Sequence, residues 1–125
     1  PTVCDYAGIE CPSGRDGLSL RPLVEGGDGG SWRDEIVVET EVGLGGGSGE
    51  PSYALVTDSL KYSVYVMGCH REQMVDLNTD PGEMVNLAVE SRHAEALSWC
   101  RNRLRAWCER TDDPGVRVIP EQGGL

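Results

Sequence analysis

Two histidines, five cysteines and a set of loop carboxylates are the residues of this 125-residue chain to weigh first for chemistry. His70 and Arg71 follow Cys69 between two strand-like stretches, a place from which loops reach over a neighbouring surface. As hydrogen-bond donors they suit an anionic or sugar group, and they are the candidate substrate-binding pair; the competing expectation is a plain exposed hairpin turn. His93 opens a helical stretch and reads as solvated. Asp76, Asp80 and Glu83 could in principle work as an acid–base set. No histidine or nucleophile accompanies them at a recognisable spacing, so a turn-forming role is expected. Asp112 and Asp113 follow a helix end, where solvated acids are expected. Trp99 and Trp107 are about 80° apart on one helix, close enough to cage a ligand, although packing is the stronger expectation.

The cysteines, Cys4, Cys11, Cys69, Cys100 and Cys108, are odd in number and irregular in spacing. Such a pattern argues against a disulfide framework. Cys100 and Cys108 would be about 12 Å apart along one helix, too far to bridge. No Cys-x-x-Cys pair is present, which removes the usual zinc spacing. Buried thiols are expected for most of the five.

The elements that must position these residues follow from pattern. Residues 1–8 read as the end of a helix stopped by Gly8. Leu18, Leu20, Leu23 and Val24 form a short apolar segment, and residues 26–31 a loop. Residues 36–41 are β-branched and read as a strand. The glycine-rich stretch 43–51 reads as a hairpin connection; no Gly-Lys-Ser/Thr follows that would cradle a phosphate. Strands are then expected at 52–57, 60–66 and 72–77, with turns at 58–59 and 67–71. Short connections make them antiparallel neighbours. Asp80-Pro81-Gly82-Glu83 is a turn, and Ser91 a candidate N-cap. Ala94, Leu97, Cys100, Leu104, Trp107 and Cys108 recur at helical spacing, giving an amphipathic helix of about 18–20 residues. Val116-Arg117-Val118-Ile119 is a short strand candidate, after which the tail frays. The fold class is therefore α+β: a small antiparallel sheet of about four strands packed against a C-terminal amphipathic helix.

Composition narrows the function classes. A net charge of −10, from 11 Lys+Arg against 21 Asp+Glu, argues against nucleic acid and against an anionic membrane surface. No apolar run approaches the roughly 20 residues of a membrane span. The chain opens at Pro1-Thr2-Val3 and reads as if cut from something longer.

The order of the pieces resembles a known family. Pro1-Thr2, Ala7-Gly8-Ile9, Gly17-Leu18-Ser19-Leu20, Pro22-Leu23 and Gly26 resemble the sulfatase segment "PT…D.AGI…G.SL.PLL.G". Trp32-Arg33 ahead of a strand, Lys61-Tyr62 within one, and Asp76-Leu77, Asp80-Pro81, Glu83 and Asn86-Leu87 continue the likeness in the same order. The likeness covers about residues 1–110 and is similar to the C-terminal subdomain of a formylglycine-dependent sulfatase of the alkaline-phosphatase-like superfamily. It implies that residues 1–30 end the catalytic-domain region, 31–113 form the C-terminal subdomain, and 114–125 are a tail. Trp32 and Arg33 would then pack at a domain seam.

The resemblance also implies where the chemistry lies. In the family a hydrated formylglycine attacks sulfur beside a divalent metal, usually calcium, held by Asp and Asn oxygens. Those residues belong upstream of anything matching Pro1, so this chain is expected to hold neither cofactor and to be inactive alone. Cys11-Pro12-Ser13-Gly14-Arg15 looks like the nucleophile motif Cys-x-Pro-x-Arg, but proline directly follows the cysteine and the register is off by one. The implied partners are the N-terminal catalytic domain of the same parent and, for the parent, a sulfated small molecule or glycan. Family members are often exported, but the signal would lie upstream. Two other readings compete: a fragment of a related metal-dependent phosphodiesterase or phosphonate hydrolase, and a stand-alone binding module.

Overall fold

The computed structural model describes residues 1–15, 17–27, 32–42 and 50–121. It divides into two compact units, Pro1–Arg33 and Asp34–Leu125. In the first, helix α1 (Thr2–Ala7) is closed by Gly8, which sits at φ 65° in the left-handed region that a glycine adopts without a Cβ penalty. The single turn α2 (Arg21–Val24) has Pro22 near its start, where the missing N–H has no helical partner to lose. Polar contacts tie the two: Thr2 Oγ1 accepts the Leu20 amide at 2.9 Å, and the Ser19 hydroxyl donates to Asp5 at 2.6 Å. Arg21 reaches the same carboxylate at 3.2 Å.

The second unit is the expected meander. Strands β1 (Glu35–Val42), β2 (Glu50–Thr57), β3 (Leu60–Tyr65) and β4 (Glu72–Asp76) form one antiparallel sheet in the order β1-β2-β3-β4. Strand β2 begins at Glu50, so Pro51 lies within the strand rather than in the preceding connection. Its pairing opposite Glu41 is near the strand start, where a proline is tolerated. The expected loops over 28–31 and 43–49 lie outside the described residues.

Register sets the two faces. Val37, Leu55, Tyr62 and Met74 fall in one cross-strand row, and Tyr53 and Val64 in the next, because successive side chains alternate. Helix α3 (Ala94–Thr111) supplies the other half of the core through Leu97, Cys100, Leu104 and Cys108. Leu55, Tyr62, Val64, Met74, Cys100, Leu104 and Cys108 are completely or almost completely buried. Each large apolar side chain among them contributes roughly 1.5–3 kcal/mol by leaving water. Of the cysteines, only Cys100 and Cys108 are buried; Cys69 is exposed and Cys4 and Cys11 are half-buried, contrary to the expectation for most. The reason is that Cys100 and Cys108 alone lie on the helix stripe.

Two local expectations fail for physical reasons. Ser91 does not cap α3: residues Ser91–His93 form a tight 3-10 turn, and the helix starts after His93 without a side-chain cap. Val116–Ile119 is not a strand. Asp113 accepts the Gly115 amide at 2.7 Å and Pro114 presets φ, so Pro114–Arg117 winds into a 3-10 turn. Val118 and Ile119 are buried in the core, and the fraying expected after Ile119 falls mostly on residues 122–125, which lie outside the described residues.

Candidate functional site

The residues singled out by chemistry lie at opposite ends of the sheet, in the turn after β3 and in the loop from β4 to α3, which starts beside the β2–β3 turn. In that loop every marked side chain is occupied by backbone or by a partner. Asp76 accepts the amides of Asn78 at 2.9 Å and Thr79 at 3.3 Å. The Asn78 amide leads the influences that hold its carboxyl below the ordinary aspartate range. The Leu77 amide donates to the Ser59 carbonyl at 2.8 Å, holding the loop against the β2–β3 turn. Asp80 accepts the Val85 amide at 2.8 Å, which closes the turn through Pro81 and Gly82. Glu83, at φ 54°, accepts from the Lys61 ammonium at 2.6 Å.

Asn86 does the most. Its Oδ1 accepts the amides of Met74 and Ala88, both at 3.0 Å, and its Nδ2 donates to the Glu72 carbonyl at 3.0 Å. One side chain thus pairs with the outward N–H and C=O of edge strand β4, as a further strand would. An open edge is a liability for any sheet, and Asn86 covers this one. The neighbouring Leu87 packs against the core. These arrangements position the helix; none aims a carboxylate at open space beside a nucleophile.

Lys61-Tyr62 splits between the faces. Lys61 faces away from α3, whereas Tyr62 is fully buried and donates to Glu72 at 2.5 Å. Glu72 also receives both arms of Arg101, Nε at 2.7 Å and the second through the terminal nitrogen. Burial pushes the Glu72 carboxyl up, but the hydrogen bonds from Arg101 and Tyr62 outweigh it and hold the group below the ordinary glutamate range. The same network drives the Tyr62 phenol well above its ordinary value, burial first and Glu72 second. The apolar stripe read from the sequence does not include Arg101. It is four residues after Leu97 and three before Leu104, so the stripe itself marked it as inward-facing.

A second missed contact corrects the expectation for Asp113. It is no solvated acid: the Tyr53 hydroxyl donates to it at 2.7 Å, and it caps the turn that follows. Asp112 does remain exposed, closing α3 in a left-handed conformation at φ 55°. Gly115 is buried against the Tyr53 ring. Trp107 packs against the core, while Trp99 is half exposed with the Arg103 guanidinium 5.6 Å above it. Arg103 also pairs with Glu35 at 2.7 Å, so the two tryptophans do not form a cage. Trp32 is half-buried and carries Arg33 5.8 Å over its ring.

His70 and Arg71 are both exposed in the β3–β4 turn. Arg71 donates to the carbonyls of Tyr65 and Val118, each at 2.9 Å, and so fastens the tail to the sheet. Among the described residues no group of three or more His, Cys, Asp or Glu side chains is placed to hold a metal ion. Cys11 and Arg15 belong to an irregular loop in the first unit, with proline in the wrong register for a formylglycine precursor.

The family described as N-sulphoglucosamine sulphohydrolase, C-terminal, matches residues 1–110. This chain belongs to it. The sheet roofed by α3 is a C-terminal sulfatase subdomain of the alkaline-phosphatase-like superfamily. The chain is 29% identical over 121 residues to a Delta 4,5-hexuronate-2-O-sulfatase of Bacteroides thetaiotaomicron, covering 90% of this chain and 23% of that protein. A solved 2-O GAG sulfatase superposes with a TM-score of 0.79 at 28% identity, over 96% of this chain and 25% of that one. A phosphonate monoester hydrolase from Silicibacter pomeroyi superposes with a TM-score of 0.74 at 21% identity, over 88% and 24%. That last likeness is one of fold. The chain spans about a quarter of the length of the proteins it matches.

Proposed function

We propose that this chain is the non-catalytic, structural part of a hydrolase that cleaves sulfate esters, and that the parent's substrate is a sulfated sugar. The observation that carries the reading is the family match over residues 1–110, combined with a loop in which Asp76, Asp80, Glu83 and Asn86 are engaged in holding the fold. A sulfated sugar as substrate is supported by the name of the hexuronate 2-O-sulfatase relative. In this reading residues 1–30 finish the catalytic region, 31–113 form the C-terminal subdomain, and 114–125 are a tail. Formylglycine and calcium, which would supply the nucleophile and charge neutralisation, belong to the remainder of the parent.

The turn after β3 is where this segment would meet substrate. His70 is the better placed donor, since Arg71 is committed to two backbone carbonyls. Replacing His70 by alanine in the parent should raise KM for a sulfated sugar while leaving stability within about 0.5 kcal/mol. An unchanged KM would remove His70 from the cleft. The phosphonate hydrolase reading is the weaker one, because its support is a likeness of fold. Assaying the parent with a sulfated monosaccharide and with a phosphonate monoester separates them: preferential hydrolysis of the phosphonate would overturn the sulfatase reading.

A further inference from the structure

The hairpin that joins β3 to β4 is braced more firmly than an exposed turn requires. The ladder between the two strands ends at Val64 opposite Glu72. Beyond it, the Tyr65 amide donates to the Arg71 carbonyl at 2.8 Å, and the Tyr65 carbonyl accepts from Arg71 Nε at 2.9 Å. Arg71 thus meets both backbone groups of Tyr65, one with its own backbone and one with its side chain. Its second arm, Nη2, donates to the Val118 carbonyl at 2.9 Å. Val118 is itself buried, and Arg105 holds the Pro120 carbonyl two residues on at 3.2 Å. Glu72, the residue after Arg71, is gripped by Tyr62 and Arg101.

The tip lies beyond this brace. Met67, Gly68, Cys69 and His70 are all exposed, and Gly68 turns the chain at φ 111°, a conformation that suits glycine. Loop tips are ordinarily the mobile end of a fold. A guanidinium is a planar fork of donors, so its bonds to Tyr65 and Val118 fix those two carbonyls relative to each other. The chain has 11 Lys+Arg against 21 Asp+Glu, yet these hydrogen bonds of Arg71 go to backbone carbonyls. A group that must meet a ligand needs support of that kind, held to within about 0.5 Å.

We propose that Arg71 is a positioning residue. By joining the Tyr65 and Val118 carbonyls it sets the direction in which the Met67–His70 tip, and the His70 imidazole it carries, meets a sulfated sugar. The inference rests on the reading that this turn faces the substrate. Arg71 touches no substrate in this arrangement; its effect passes through His70. The C-terminal tail then takes part in substrate binding too, because Val118 is the anchor against which the fork is held.

The test is a double-mutant cycle in the full-length parent, with KM and kcat measured on a sulfated monosaccharide and on nitrophenyl sulfate, a sulfate ester without a sugar. Arg71→Met keeps the aliphatic stem and removes both donors. It should raise KM for the sugar roughly five- to tenfold, the worth of about one hydrogen bond, with kcat within about twofold and KM for nitrophenyl sulfate unchanged. Added to His70→Ala, it should raise KM no further than His70→Ala does alone. Arg71→Lys keeps one charged donor and should recover part of the loss; it replaces Arg71→Met in the cycle if that variant does not accumulate. Additive effects of the two substitutions, or an equal rise in KM for both esters, would overturn the inference. A His70→Ala variant that raises KM beside an Arg71→Met variant that leaves it alone would refute the positioning role and keep the reading of the turn. An unchanged KM in His70→Ala would overturn that reading and the inference together.

Discussion

Removing one arm of the Glu72–Arg101–Tyr62 network is the most demanding perturbation of this fold. Arg101→Met keeps the aliphatic stem that lines the core and deletes the guanidinium. It leaves Glu72, whose side chain is 14% exposed, with the Tyr62 hydroxyl still donating to it at 2.5 Å. Breaking a buried ion pair at one end costs roughly 3–5 kcal/mol, because the surviving charge is stranded. The partial exposure of Glu72 puts the expectation at the lower end, about 3 kcal/mol. With a urea slope of about 1–3 kcal/mol/M, the unfolding midpoint should fall by about 1–3 M. The sign of the pH dependence follows from the depressed carboxyl. A glutamate held below its unfolded value contributes stability above that value and loses it as pH falls through the folded one. Stability of the wild type should therefore drop on acidification below about pH 4.5, and the gap to Arg101→Met should narrow in the same range. A loss below about 0.5 kcal/mol, or a gap that stays constant into acid, would show that the pair behaves like a surface contact and refute the reasoning.

Three further outcomes are expected. An alanine Cβ at Gly115 would lie 2.7 Å from the Tyr53 hydroxyl oxygen, so Gly115→Ala should destabilise by roughly 1–3 kcal/mol in chemical denaturation, and Tyr53→Phe, which removes only a hydrogen bond, by about 1 kcal/mol. Asn86→Ala exposes the edge of β4 and should cost about 2–4 kcal/mol, with hydrogen exchange accelerating at the Met74 amide ahead of the β2–β3 pairing; unchanged exchange there would rule out the edge-closing role. Burial pushes the Cys100 and Cys108 thiols up to about 11, leaving about one thiolate in a thousand at pH 8, so native alkylation should reach exposed Cys69 first; early modification of either buried thiol would contradict the packing.

The sheet and helix were legible in the sequence because their periods are local. Alternation along 60–66 and the three-and-four spacing of Leu97, Cys100, Leu104 and Cys108 state their faces without reference to the rest of the chain. The loop signature was legible as turn chemistry, and Asp76, Asp80 and Asn86 do bind backbone amides. That Asn86 closes a strand edge was not, since its partners Glu72 and Met74 are more than ten residues away. The same holds for Tyr53 with Asp113, sixty residues apart. Val116–Ile119 misled because its alternation is real, yet the Asp113-Pro114 start imposes a tight turn before pairing can occur.

The account stands on the claim that this segment shapes a sulfatase without supplying its chemistry. The direct measurement is sulfate release from a sulfated sugar, in the presence of calcium, by the purified 125-residue segment and by the full-length parent at matched concentration. Release by the parent and none by the segment is the predicted result. Turnover by the segment alone would contradict it.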